Sequence, residues 1–215
     1  DNDVEIKVIK DGKVGATSIN KFDDKALSDA VDNVLVSAEA GTADENFDIA
    51  PGMDAAKFTI GAVEPDIDKL MQRAKELSED IKNRHPKVLV MQIILKHVSV
   101  HSIYRNTNGS QDGKLSGRYE VSVEFAGNDG ESSTGIAGTF VATSNLDKPF
   151  IELGSIEKDL KDAEDSLNPI SVDGKFEGDV IFTPNCAMIM TYYALSNFVG
   201  ESAVLENTGL WLGKI

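Results

Sequence analysis

The constraint that most limits the fold lies between Val88 and Ser144, where four stretches are rich in β-branched residues and alternate apolar with polar positions. They run Val88–Leu95, His97–Arg105, Gly117–Ala126 and Ser132–Ser144, and such runs read as strands. The later connectors are "NTNGSQDGK" and "GNDGES". Both hold Asn-Gly or Asp-Gly pairs, whose tolerance of positive φ makes tight turns between neighbouring strands. The expectation is a consecutive antiparallel meander.

The segments around it are of mixed type. "VEIKVIKDGKVGATSIN" places Val4, Ile6 and Val8 on one face and turns at "KDGK", so a hairpin is expected with a second strand over Val14–Ile19. Leu27, Ala30, Val31, Val34, Leu35 and Ala38 then fall on one helical stripe that stops near Gly41. "GTADENFDIAPGMDAAKF" reads as an acidic loop. A second helix carries Ile67, Leu70, Met71, Ala74, Leu77 and Ile81 inward and ends before Pro86, with His85 at its end. "SIEKDLKDAEDSLNP" predicts a short helix capped by Ser155, "VDGKFEGDVIFTP" a strand, and Asn185–Val199 an apolar helix holding Tyr192, Tyr193 and Asn197. Strands, two helices, a sheet, then helix, strand and helix is an α+β order, with antiparallel or mixed sheets, and not a doubly wound parallel fold.

Composition sets the partners. The 215 residues are 41% hydrophobic and carry a formal net charge of -15, so a sizeable core is available and phosphate-rich surfaces are repelled. No direct nucleic-acid contact and no membrane partner is expected, since no apolar run reaches the roughly 18 residues that span a bilayer. One cysteine, Cys186, allows no internal disulfide, which fits a reducing, cytoplasmic setting.

Individual residues offer little chemistry. His97 and His101 have a spacing that binds zinc on a helix, but Val98 and Val100 alternate with them, so they read as one solvated strand face. Cys186 reads as a buried small hydrophobe. The glycine-rich "GNDGESSTGIAG" lacks the Gly-Lys-Ser/Thr of a phosphate loop, and the acidic runs lack a calcium-loop pattern.

Three stretches together resemble one family. "VIKDGKVGATSIN" followed by "DDKALSDAVDNVLVSAEA", the turn in "IYRNTNGS", and "GDVIFTPNCAMIMTYYALSNFVGESAVLENTGLWLGKI" are similar in order and spacing to the TldD/PmbA proteins, also called modulators of DNA gyrase. TldD-type members are metalloproteases with a His-Glu-x-x-x-His motif on the last of these helices. Laid onto this chain, the resemblance puts the first His at Tyr192, the Glu at Tyr193 and the second His at Asn197. None can serve: a hydrolytic zinc site needs imidazole ligands and a carboxylate base.

The resemblance therefore implies the PmbA (TldE-like) branch, a noncatalytic subunit that helps bind unfolded peptide beside a TldD-like protease subunit. No catalytic residue, metal or cofactor is expected in this chain, any zinc belonging to the partner. Residues 1–215 would form a single α+β region, with a sub-boundary near 64–86, of a longer protein whose C-terminal half is absent. Two other readings stay open: an active metallopeptidase using ligands such as His97 and His101, and a plain protein-interaction domain.

Overall fold

The computed structural model describes residues 2–171, 174–175, 177–198 and 200. They fall into two compact units, Asp1–Pro169 and Ile170–Ile215.

The first unit opens with β1 (Val4–Lys10) and β2 (Lys13–Ile19), paired antiparallel. Asp11 and Gly12 between them have φ of 52° and 70°. Two consecutive positive φ values give the turn whose twist matches a hairpin. Helix α1 (Asp24–Ala40) is capped by Asp23, whose carboxylate accepts from Ala26 N. It buries Ala30, Val34 and Ala38. Leu27 and Val31 of the expected stripe stay exposed, because a two-stranded hairpin is too narrow to cover the whole of it. The approach is close: a Cβ on Gly15 of β2 would lie 2.2 Å from Val34 O and 2.5 Å from Ala38 N.

The second layer is a four-stranded sheet. β4 (Val88–Arg105) and β5 (Gln111–Gly127) form a long antiparallel ribbon. β3 (Lys57–Gly61) and β6 (Ala137–Thr143) lie along the other edge of β5, β3 parallel beside 113–117 and β6 antiparallel beside 119–125. The sheet is thus mixed, and the chain is α+β as expected.

Three local expectations change. The runs Val88–Leu95 and His97–Arg105 are one strand, because β5 is long enough to pair with both. The run from Ser132 contracts to Ala137–Thr143, the earlier residues being taken up by the turn, where Asp129 Oδ1 accepts from Ser132 N and Glu131 N. The loop expected through Phe58 holds β3, whose partner is 56 residues away.

Helix α2 (Ile67–Arg84), a 3-10 turn (Phe150–Glu152) and helix α3 (Ile156–Asp165) cover one face of this sheet. Leu70, Leu77 and Ile81 from α2 meet Tyr119, Val121, Val123 and Phe125 of β5, with Phe150, Ile151, Ile156 and Leu160 from the other side. Ile67 and Met71, expected to face in, are exposed; they sit in the first turns of α2, ahead of the buried stripe. The opposite face of the sheet carries exposed Phe58, Ile60 and Phe140.

In the second unit, the described residues of "VDGKFEGDVIFTP" form no strand. Positions 172, 173 and 176 lie outside the described residues. Helix α4 spans Pro184–Phe198, close to the range expected; proline suits a first helical position because its missing N–H needs no partner there.

Candidate functional site

Helix α4 holds the three positions at which the resemblance puts a zinc motif. Tyr192 and Tyr193 are adjacent, hence about 100° apart around the helix, and both are exposed, at 67% and 62%. Their rings meet edge-on with centroids 5.9 Å apart. Asn197 lies one turn beyond Tyr193, and its Nδ2 donates to Tyr193 O at 2.7 Å. That amide is committed to its own helix. None of the three supplies an imidazole or a carboxylate, so the helix does not fit the zinc that TldD-type members carry. Among the described residues no group of three or more His, Cys, Asp and Glu is placed to hold a metal ion. α4 is instead apolar on every side, with Met188, Ile189, Met190 and Leu195 exposed as well. Cys186, expected to be buried, is exposed near the start of this helix, where the turns of α4 leave its side chain uncovered within the described residues.

The histidines of β4 are not brought together. His97 faces the core side and not solvent. Its Nε2 lies 2.7 Å from Ala62 O; a carbonyl partner requires that nitrogen to carry the proton. The ring stands 5.1 Å from that of Tyr119. Tyr119 Oη in turn accepts from Asp66 N at 2.8 Å, and Asp66 caps α2 through Lys69 N. His97 is therefore a structural clamp on the turn between β3 and α2. His101, four residues on and exposed, is about 13 Å further along the strand at roughly 3.3 Å per residue, too far to share an ion. We expect Tyr119→Phe to lower the stability of the first unit by about 1 kcal/mol through the lost hydrogen bond, measured by urea denaturation.

The turn in "IYRNTNGS" has a defined task. Asn106 Nδ2 donates to Ala50 O at 2.9 Å and Asn108 Nδ2 to Ile49 O at 3.0 Å. Met53 N donates to Ser110 Oγ at 3.1 Å. These side chains strap the segment before β3 to the tip of the β4–β5 ribbon.

The feature of this unit best shaped for a partner is the outer edge of β4. The strand is 18 residues long and pairs with β5 alone. A row of backbone N–H and C=O groups on its far side is thus left without a strand partner among the described residues, and such an edge is a template for another extended chain. Towards the tip, Val100, Ile103 and Tyr104 are exposed, so both faces beside that edge can take apolar side chains. The register shift between Val90 and Gln92 disturbs the edge only near its start. Carboxylates held below their ordinary range lie elsewhere. Glu76 is held low by hydrogen bonds from Arg73 and Gln72, and Asp129 by the amides of Ser132 and Glu131. They serve a helix surface and a turn.

No protein-family model matches the sequence, and no curated protein matches it. Solved structures do. TldE from Thermococcus kodakarensis superposes with a TM-score of 0.62 at 13% identity, over 97% of this chain and 48% of that one. The "putative modulator of a DNA gyrase" from Thermotoga maritima gives 0.47 at 16% identity, over 76% of this chain and 36% of that one. The chain thus shares its fold with TldE and spans about half the length of that protein. Among the described residues no helix is long and apolar enough to cross a membrane.

Proposed function

We propose that this chain belongs to the TldD/PmbA family and forms about half of a TldE-like subunit, one that lacks a zinc site of its own and helps hold extended peptide for a TldD-like protease partner. The observation that carries the reading is the TldE fold over nearly the whole chain, combined with Tyr192, Tyr193 and Asn197 at the motif positions of α4. A subunit without ligands contributes by binding and placing substrate, and the free edge of β4 is the element suited to that. An unfolded peptide laid along it gains main-chain hydrogen bonds whatever its sequence, while the apolar flanks near Val100 and Tyr104 add grip. The net charge of -15 favours basic peptides over acidic ones.

The reading in which His97 and His101 bind a metal is disfavoured by the commitment of His97 Nε2 to Ala62 O. The test is metal content of the full-length protein, alone and after mixing with a TldD-like partner, together with cleavage of an unfolded peptide. We expect no cleavage by the protein alone, co-elution and cleavage on mixing, and slowed amide exchange in 98–104 when peptide is added. Stoichiometric zinc with cleavage by the protein alone would overturn the proposal; binding of peptide without any partner-dependent cleavage would favour a plain interaction domain.

A further inference from the structure

At the joint between α2 and β4, His85 closes the helix, its N–H donating to Ile81 O at 2.9 Å. Its side chain is 7% accessible. Nδ1 lies 3.1 Å from Glu164 Oε2 on α3, and the other oxygen of Glu164 accepts from Lys87 N at 3.0 Å. A carboxylate that already accepts from an amide needs a proton from the imidazole, so Nδ1 carries it and Nε2 presents a lone pair. That Nε2 is the one buried side-chain nitrogen or oxygen without a hydrogen-bond partner among the described residues. A buried acceptor left bare is costly and calls for a donor.

Beside it lies a cavity of about 260 Å³ lined by Ser78, Ile81, Lys82, His85, Pro86, Val88 and Val90. Glu164 is not in its wall, so the ring meets the cavity with an edge other than the one it gives to α3. The wall is mostly apolar, with two donors, the Ser78 hydroxyl and the Lys82 ammonium, and one bare acceptor. A volume below the ~300 Å³ at which drug-sized pockets begin suits a ligand of a single ring.

We propose that this cavity is a binding site for a small phenol. The ring would pack on Ile81, Pro86, Val88 and Val90; the phenolic O–H would donate to His85 Nε2; and the phenolic oxygen would accept from Lys82 or Ser78. A carboxylate of the same size fits worse, because its lone pairs would face that of Nε2. The nitrogen is closed to solvent, so Lys82, the long flexible side chain of the wall, gives way as the ligand enters. Glu164 holds the ring in the accepting tautomer and is a positioning residue. This site is separate from the β4 edge and stands whether or not the TldE-like reading does.

The chain has three histidines, so the ring signals of His85 are readily assigned by nuclear magnetic resonance. The experiment titrates p-cresol into the full chain and follows the His85 ring nitrogens and the methyls of Val88 and Val90. Toluene is the control without a hydroxyl. Saturable shifts in both sets, with toluene binding roughly tenfold more weakly, the worth of one hydrogen bond, are the expected result. Val90→Phe, which fills the cavity and leaves His85 and Glu164 alone, should abolish them. Toluene binding as tightly as p-cresol would mean an apolar cavity only, and would overturn the proposal. So would the absence of saturable shifts up to the solubility limit, or shifts that survive Val90→Phe.

Discussion

Gly117→Val is expected to cost the first unit about 3 kcal/mol or more, beyond the usual range for an overpacked site, and to detach β3 from β5. A Cβ at Gly117 would stand 1.7 Å from Ala62 O and 2.6 Å from Val63 Cα, and both neighbours are backbone, so no side chain can swing aside. The same carbonyl of Ala62 receives the His97 hydrogen bond. The substitution therefore breaks the clamp as well as the crossing. Urea denaturation would give the loss, and the His97 ring signals would report the clamp directly. A stability within 1 kcal/mol of the parent would show that the crossing can shift at little cost.

Phe125→Ala is the second large effect. Phe125 is fully buried in the cluster where β5 meets α2 and α3, and truncating a buried Phe typically costs about 3–5 kcal/mol through lost transfer energy and the cavity left behind. For a domain of this size that lowers the midpoint of thermal unfolding by roughly 10 °C. Phe140, on the open face of the same sheet and 61% exposed, should cost far less when truncated. The contrast between the two, measured by calorimetry, tests which face carries the core. Equal losses would mean that the outer face is packed too.

Which parts of this could be read in the residues follows from how local their causes are. The first hairpin needs only Asp11-Gly12, and both helices of the first unit begin on an aspartate that accepts from an amide three residues on; these signals lie within a few positions of what they determine. β3 was not legible, because five residues of "KFTIG" make a strand only when β5 lies alongside. His97 shows the subtler failure. Counting alternation from Val88 puts the odd positions outward and His97 in solvent. The register shift between Val90 and Gln92 moves the count by one, so Ile93, Leu95 and His97 turn inward instead. The pairing of His85 with Glu164 spans 79 positions, and nothing near His85 announces it. On α4, by contrast, the three candidate positions came from a resemblance, and the side chains there are those the resemblance implies for a helix without zinc.

The pairing of β3 with β5 has a kinetic consequence. β4 and β5 are joined by a five-residue turn, so their ribbon closes a short loop and can form early. β3 reaches its partner only after the intervening residues, α2 among them, have found their place, and closing that longer loop costs more entropy. A strand that docks late is absent from the rate-limiting ensemble. Changes in β3 such as Thr59→Gly should therefore quicken unfolding while leaving the refolding rate nearly unchanged. The lifetime of the folded unit is in that case set at one short parallel strand, remote from the residues that begin its folding.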